Sequence, residues 1–378
     1  MPKTMPAAIW ALGAALATLS CGQAGSSARE AAGDAGPVAV DAWADADPGA
    51  VDARPPAPDA SSDVGPAASD LAVDATPVAD AAELGTDAKA PSSPLAPGLF
   101  DCTATGLPER VSTTPVACLT DPACRSPQVA GHRGCGGPLG VIAPEDSLAA
   151  YRAAIVLGVD YVETDPRPTV DGVLVNMHDT TVDRTTTGEG SVAEMTFEAV
   201  RALTLRSARF AGDFSCERVP TLVEILQTCR GRAMVLVDAN KTDRVDLLVQ
   251  AIIEADALEW AIFDTSSLEK LDAALALEPR LHIMPRPDNA EQLNAALDHF
   301  APRVPEIIEI PADRVVELAA IAAARGARVF TDVFGADVVA GQLGRSERYL
   351  EYYDQGAAIL QTDRPDLVLR ALEAAGRR

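Results

Sequence analysis

Residues 128–134 read QVAGHRG, residues 161–165 read YVETD, and residues 173–179 read VLVNMHD. Each stretch starts with a short apolar run and ends in ionisable side chains, which include His132, Glu163 and His178. Short apolar runs of this kind predict buried strands. Functional side chains of α/β barrels lie at the carboxyl ends of the strands, where they share one mouth. The three stretches therefore predict one common site.

The rest of the chain continues this alternation of short strands and helical patterns. Strands are predicted at 128–131, 161–165, 173–177, 233–238, 261–263, 282–284, 307–310, 329–332 and 358–361. Helices are predicted at 147–157, 196–203, 222–229, 244–254, 268–277, 290–301, 312–324 and 365–373. The alternation predicts an α/β fold with a parallel sheet, closed as a TIM (β/α)8 barrel. Nine candidates for eight strands imply that one is misread or lies outside the barrel.

The first 98 residues differ in composition from the rest. Residues 1–21 contain Lys3 and an apolar run that ends at Ser20-Cys21, which predicts a lipoprotein signal peptide with lipid on Cys21. An ordinary signal peptide with a chance cysteine is the alternative. Residues 22–98, rich in Ala, Asp and Pro, are predicted to be a disordered, self-repelling linker. Residues 99–378 form the barrel domain, so we expect an exported protein that is lipid-anchored in a bacterial cell envelope.

The net charge limits the class of partner. The chain carries −24, of which residues 22–98 contribute −10 and Lys3 contributes +1, which leaves −15 on residues 99–378. An acidic domain argues against nucleic acid as a partner. The oligomeric state does not follow from the sequence.

Six cysteines follow Cys21, and export would allow them to form disulfides. Four of them precede the first predicted helix, which predicts a disulfide-bonded N-terminal cap. They are Cys102, Cys118, Cys124 and Cys135, and their pairing stays open. Cys216 and Cys229 flank one short segment, and we predict a disulfide between them.

Glu163 and Asp165 are two residues apart, so on a strand they point to the same side. Two inward carboxylates repel each other and are costly to desolvate, and a hard cation such as Ca²⁺ or Mg²⁺ removes both costs. Two unrelated acids at a solvated strand end are the alternative. Arg133 offers a planar fork that can grip two phosphate oxygens or form a salt bridge to a carboxylate at the mouth.

These motifs resemble those of the glycerophosphodiester phosphodiesterases, which have a phospholipase-C-like phosphodiesterase barrel. The shared motifs are Gly131-His132-Arg133-Gly134, Pro144-Glu145-Asp146-Ser147, Glu163-Thr164-Asp165, Thr169-Val170-Asp171-Gly172, His178-Asp179, Val219-Pro220-Thr221-Leu222-Val223-Glu224 and Thr362-Asp363-Arg364-Pro365. The resemblance covers residues 130–242 and 358–372 well and the region between them poorly.

The resemblance implies roles for individual residues. His132 and His178 would be the catalytic acid–base pair, since phosphodiester cleavage needs one group to activate a nucleophile and another to protonate the leaving oxygen. Glu163, Asp165 and Asp238 would hold one divalent cation, Ca²⁺ or Mg²⁺. Arg133 and Lys241 would bind the substrate phosphate.

Two segments depart from the family pattern. Family members have Glu-x-Lys where this chain reads Asp238-Ala239-Asn240-Lys241, which leaves the roles of Asp238 and Lys241 open. Residues 329–335 differ from the family's Trp-Thr-Val-Asn run, on the side of the mouth where the alcohol of the substrate would lie.

The predicted function is metal-dependent hydrolysis of a small or lipid-derived phosphodiester, giving glycerol 3-phosphate and an alcohol. Two alternatives stay open. One is a related phospholipase D-type enzyme acting on lysophospholipid or sphingomyelin-type headgroups, and the other is a binding barrel without catalytic activity.

Overall fold

The computed structural model describes residues 94–378. The predicted signal peptide, the lipidation site Cys21 and the linker up to residue 93 lie outside these residues. Among residues 94–378, no helix is both long enough and apolar enough to cross a membrane.

Eight parallel strands form a nearly closed barrel, as predicted. The ten strands of the described region are β1 (Gln128–Gly131), β2 (Tyr161–Thr164), β3 (Pro166–Pro168), β4 (Leu174–Asn176), β5 (Met234–Asp238), β6 (Ala261–Thr265), β7 (His282–Pro285), β8 (Ile307–Glu309), β9 (Arg328–Asp332) and β10 (Ala357–Thr362). The barrel order is β7-β6-β5-β2-β1-β10-β9-β8, and β7 lies next to β8. The apolar side chains of these strands and of the helices around them form one large core.

The surplus strand candidate, 173–177, lies outside the barrel. Its central residues form β4, which pairs antiparallel with β3 in a separate hairpin. A parallel neighbour needs a crossover connection of about a dozen residues or more, and the short connection through Asp171-Gly172 has no room for one. His178 therefore follows a hairpin strand, and the expectation that it ends a barrel strand was wrong.

Ten helices surround the barrel in the described region. They are α1 (Leu148–Leu157), α2 (Phe197–Arg201), α3 (Leu222–Cys229), α4 (Val245–Glu254), α5 (Leu268–Leu277), α6 (Ala290–His299), α7 (Val315–Ala324), α8 (Phe334–Leu343), α9 (Glu347–Asp354) and α10 (Pro365–Ala374). The sequence prediction missed α8 and α9. A capping box begins α3, because the Thr221 side chain accepts a hydrogen bond from the Glu224 amide and the Glu224 carboxylate accepts one from the Thr221 amide.

Residues before β1 cover the amino-terminal end of the barrel. The carbonyl oxygen of Leu119 accepts hydrogen bonds from the Tyr161 hydroxyl (2.5 Å) and from Nη2 of Arg328 (2.5 Å), at the starts of β2 and β9. Nη1 of Arg328 also donates to the side chain of Gln128, where β1 begins. This cap closes the end of the barrel opposite the predicted site.

The predicted Cys216–Cys229 disulfide was wrong. Cys216 pairs instead with Cys102, with 5.8 Å between the two Cα atoms, and Cys118 pairs with Cys124. Cys229 is a free thiol at the end of α3 and is fully buried in the core, whereas Cys216 is exposed in the loop before that helix. The two side chains therefore face different environments, and the Cys102–Cys216 bond fastens the cap to the barrel.

Candidate active site

The first part of the site is a tight turn directly after β1. A Cβ atom on Gly131 would lie 1.9 Å from the carbonyl oxygen of Gly134, so only glycine fits there. Arg133 lies in the left-handed region with φ 50°, which is costly for a residue with a side chain. The turn places the Arg133 amide where it donates to Oε2 of Glu163 at 3.0 Å.

Three carboxylates meet at the ends of β2 and β5. Glu163, Asp165 and Asp238 each offer an oxygen, and these atoms lie within 4.8 Å of one another. All three residues are buried. Burial, together with the neighbouring carboxylates of Asp165 and Asp238, raises the pKa of Glu163 well above its ordinary value.

The donor set fits a hard divalent cation. Both carboxylate oxygens of Asp165 are buried and lack a hydrogen-bond donor among residues 94–378. Their nearest cationic atoms are Nζ of Lys241 at 3.3 Å and Nε of Arg133 at 3.5 Å. Buried carboxylate oxygens without a partner are uncommon, and clustered carboxylate oxygens are the ligands that Ca²⁺ and Mg²⁺ take in proteins.

Lys241 reaches this cluster despite its displaced position in the sequence. Residues Ala239–Lys241 form a 3-10 turn that brings Nζ of Lys241 to 3.7 Å from Asp238. Burial alone would lower the pKa of Lys241, but the carboxylates of Asp165 and Asp238 raise it, so the side chain is an ammonium at neutral pH. Asn240 instead donates to Asp238 at 2.8 Å and accepts from the hydroxyl group of Thr265 at 2.8 Å.

Arg133 is held by a carboxylate, as one of the two interpretations of this side chain expected. Its Nη1 donates to Oε1 of Glu145 at 2.7 Å. Glu145 also accepts two hydrogen bonds from Arg184, at 2.7 and 2.8 Å. Burial alone would raise the pKa of Glu145, but Arg184 and Arg133 hold it below its ordinary value. Glu145 thus connects the phosphate-binding candidate Arg133 with a second arginine at the mouth.

His132 is oriented by an acid from the last barrel strand. Its Nδ1 lies 2.7 Å from Oδ1 of Asp363, which also accepts the amide of Gly137 at 2.7 Å. The other ring nitrogen, Nε2, lies 3.9 Å from Oε2 of Glu163, and the ring packs against Phe334 with centroids 4.6 Å apart. Nε2 therefore points to the carboxylate cluster.

His178 has a similar arrangement on the other side of the hairpin. Its Nδ1 lies 2.9 Å from Oδ1 of Asp179, and its amide donates to Asp146 at 3.2 Å. Burial, with a smaller contribution from Arg133, lowers the pKa of His178, which favours the neutral imidazole. In both histidines a carboxylate holds Nδ1, so Nε2 is the nitrogen left for chemistry.

A second acidic cluster, which the sequence interpretation missed, lies at the other half of the mouth. It consists of Asp264, Glu309 and Asp332, at the ends of β6, β8 and β9, with Arg286 directly after β7. Nε of Arg286 lies 2.6 Å from Asp264 and 2.9 Å from Glu309. Asp332 accepts a hydrogen bond from Gln361 at 2.7 Å. Part of the signal was present in the sequence, because Asp264 directly follows the predicted strand 261–263 and Asp332 ends the predicted strand 329–332.

Comparison with known proteins agrees with this geometry. Residues 132–367 match the model of the Glycerophosphoryl diester phosphodiesterase family. A glycerophosphodiester phosphodiesterase of Caldanaerobacter subterraneus subsp. tengcongensis is 34% identical over 146 residues, which are 37% of this chain and 60% of that relative's length.

Solved structures show the same fold. A glycerophosphoryl diester phosphodiesterase from Parabacteroides distasonis superposes with a TM-score of 0.61 at 23% identity, over 69% of this chain and 90% of that one. A phosphodiesterase from Oleispira antarctica, solved in complex with the product sn-glycerol-3-phosphate, gives 0.54 at 21% identity, over 67% and 99% of the two chains. Since the family match covers more than half of the sequence, this chain belongs to the glycerophosphoryl diester phosphodiesterase family.

Proposed function

We propose that this protein hydrolyses a glycerophosphodiester to glycerol 3-phosphate and an alcohol, and that it needs one divalent cation. The observation that carries the proposal is the buried cluster of Glu163, Asp165 and Asp238, whose oxygens lie within 4.8 Å of one another, with no cationic atom of the described residues closer to Asp165 than Nζ of Lys241 at 3.3 Å. A protein that kept this cluster for stability alone would hold three buried carboxylates against one another at a cost.

Glu163, Asp165 and Asp238 would hold the cation, Ca²⁺ or Mg²⁺. When bound, the cation supplies charge stabilisation at a phosphate oxygen. Nε of Arg133 lies 3.5 Å from Asp165, and Nζ of Lys241 lies 3.3 Å from it. These two cationic groups bind the remaining phosphate oxygens. Glu145 fixes the guanidinium of Arg133 for this task.

The two histidines carry the protons. Asp363 and Asp179 each hold an Nδ1 atom, so Nε2 of one histidine takes the proton from the nucleophile and Nε2 of the other gives a proton to the leaving alkoxide. The nucleophile is water or a neighbouring hydroxyl group of the substrate. A binding barrel without activity would not need both imidazoles oriented in this way.

A headgroup panel tests the proposal. Glycerophosphodiesters with different alcohols, a lysophospholipid and a sphingomyelin-type headgroup are incubated with Ca²⁺, Mg²⁺ or a chelator, and both glycerol 3-phosphate and the released alcohol are measured. We expect glycerol 3-phosphate from glycerophosphodiesters, with turnover abolished by the chelator and restored by one of the cations. Turnover only of lysophospholipid or sphingomyelin-type headgroups would favour the phospholipase D-type alternative. No turnover of any compound would favour the binding barrel.

We also propose that the protein is exported and anchored by lipid on Cys21 in a bacterial cell envelope. The support is the apolar run that ends at Ser20-Cys21 and the two disulfides of the barrel domain, which fit an oxidising compartment. The full chain, expressed in a bacterium, is expected to partition into detergent, and Cys21→Ala is expected to release it. Equal partitioning of the variant would contradict the anchor.

A further inference from the structure

A second cavity opens beside the candidate active site, and its charge is unlike that of the rest of the chain. It measures about 400 Å³, within the range of small-molecule sites. Its charged lining side chains are Arg184, Arg206, Arg209 and Glu145. Three guanidinium groups against one carboxylate make this cavity cationic in a chain whose net charge is −24.

Two of these arginines have N–H groups that are free to bind a ligand. Nε of Arg206 donates only to the carbonyl oxygen of Asp183, at 3.4 Å, and Nη1 of Arg209 donates only to the carbonyl oxygen of Pro138, at 3.1 Å. Within residues 94–378 neither side chain has a carboxylate at ion-pair distance. Arg184 differs, since Glu145 and Asp179 already pair with it.

One of these guanidinium groups packs against an aromatic ring of the cavity wall. The guanidinium of Arg209 stacks over the ring of Phe210, with its carbon 4.4 Å from the ring centroid. Phe210 is itself buried, and Pro138 and Pro144 complete the apolar side of the cavity. A guanidinium held on an aromatic face keeps its outer N–H groups free in a fixed fork, which matches the oxygens of a phosphate.

The cavity shares two lining side chains with the contacts of the candidate active site. Glu145 lines it and also accepts the hydrogen bond from Arg133 at 2.7 Å. Arg184 lines it and also pairs with Asp179, which holds Nδ1 of His178. The cavity therefore adjoins the groups around Arg133 and His178, and the inference takes one substrate molecule to reach both.

We propose that the cavity between Arg206 and Arg209 binds a second anionic group of the same substrate molecule, such as a second phosphodiester. The inference rests on the proposed function, because it takes the first phosphodiester to bind beside Arg133 and Glu163. On this inference, substrate preference depends on Arg206 and Arg209, which lie outside the family motifs. The preferred substrates are then phosphodiesters whose alcohol is anionic, and a neutral alcohol leaves the cavity unused.

Two related compounds test this inference on the full chain. Glycerophosphoglycerol has one phosphodiester, and bis(glycerophospho)glycerol has two. Because the second compound has two equivalent scissile bonds, kcat/KM would be about twice as high without any extra binding. With charged hydrogen bonds to Arg206 and Arg209 we expect a preference of about twentyfold, since such bonds contribute roughly tenfold or more.

The variant is Arg206→Gln combined with Arg209→Gln, both at exposed positions. It is expected to lower the preference to about twofold and to leave kcat/KM for glycerophosphoglycerol unchanged. The matched control is Arg345→Gln with Arg348→Gln, which removes the same charge from exposed arginines outside the cavity. The control is expected to keep the wild-type preference. A wild-type preference of about two, or an equal preference in the cavity variant, would overturn the inference while the proposed function stands.

A binding measurement separates the two proposals if neither compound is hydrolysed. Calorimetry in the presence of chelator compares binding of bis(glycerophospho)glycerol to the wild type, the cavity variant and the control. Binding that weakens about tenfold only in the cavity variant supports the inference by itself. Equal affinity for all three proteins rejects it.

Discussion

Both halves of the barrel mouth contain carboxylates and cationic side chains, but the distances between these groups differ. In the first half, Asp165 lies 3.3 Å from Nζ of Lys241 and 3.5 Å from Nε of Arg133. Asp238 lies 3.7 Å from Nζ of Lys241. In the second half, Arg286 lies 2.6 Å from Asp264 and 2.9 Å from Glu309. Arg286 thus forms close ion pairs with two acids of the second half, whereas it reaches Asp238 of the first half only at 3.8 Å. What distinguishes the first half is that oxygens of three carboxylates lie within 4.8 Å of one another, with no cationic atom of residues 94–378 closer than 3.3 Å to Asp165.

The largest effect is expected from the histidines of the first half. His132→Ala and His178→Ala should each lower turnover by about 10²–10⁴, because each removes a proton-transfer group. Steady-state kinetics on a glycerophosphodiester measures this, with thermal melts to show that both variants fold. His282→Ala is the matched control, since His282 begins β7 and pairs with Glu306 at 3.4 Å, far from the mouth. Wild-type turnover by a folded His178→Ala protein would rule out the paired mechanism.

The second-largest effect is expected when the cationic side chain of each half is replaced. Arg286→Met leaves Asp264, Glu309 and Asp238 without their shared partner, and breaking such a buried set costs about 3–5 kcal/mol of unfolding free energy. Lys241→Met is expected to cost less than about 1 kcal/mol in saturating divalent cation, because the cation replaces its charge. Urea unfolding with cation and with chelator measures both. A Lys241→Met loss that is the same in the two conditions would contradict the metal site.

The comparison also explains which features the sequence could reveal. The eight barrel strands were predictable because each is a short apolar run bounded by polar residues. The first half of the mouth was predictable because His132, Glu163 and His178 lie in contiguous motifs. The second half is built from single residues on separate strands, 264, 286, 309 and 332, and no local motif joins them. The strand-end rule, applied beyond the family motifs, could have found Asp264 and Asp332, but not Arg286 and Glu309.

Other features depend on contacts that are distant in sequence. The Cys102–Cys216 pair joins residues 114 apart, and only the packing of the cap against the barrel brings them together. The orientation of His132 depends on Asp363, which is 231 residues away. The position of Lys241 depends on a 3-10 turn that sequence spacing does not reveal.

A pH dependence is expected from the second half. Burial, partly offset by Arg286, raises the pKa of Asp264 to about 6. The folded state therefore keeps this proton up to about pH 6, whereas the unfolded chain releases it near the ordinary value of 3.8. The contribution of Asp264 to unfolding free energy is lost as the pH rises through this window, by roughly 3 kcal/mol. Asp264→Asn is expected to show a smaller loss than the wild type between pH 4.5 and 7 in chemical denaturation. Identical losses would show that Asp264 titrates normally.

The smallest effect is expected from one substitution made in each half, Glu309→Gln and Glu163→Gln. Burial raises the pKa of Glu309 well above its ordinary value, which lowers the cost of removing its charge, and glutamine keeps an oxygen beside Nε of Arg286, so the unfolding free energy should change by less than about 1 kcal/mol. Glutamine at 163 keeps an acceptor for the Arg133 amide, so a similarly small change is expected in chelator.

Added Ca²⁺ or Mg²⁺ should raise the unfolding free energy of the two variants by different amounts. A cation at one hundred times its dissociation constant stabilises the folded state by about 2.7 kcal/mol, and Glu309→Gln should keep this gain because its site lies in the other half. Glu163→Gln should lose most of it, since it removes a charged ligand from the carboxylate cluster. Chemical denaturation of the wild type and both variants, with cation and with chelator, measures the difference. An equal gain in both variants would mean that the cation binds elsewhere, and the contrast between the two halves of the mouth would then have to be abandoned.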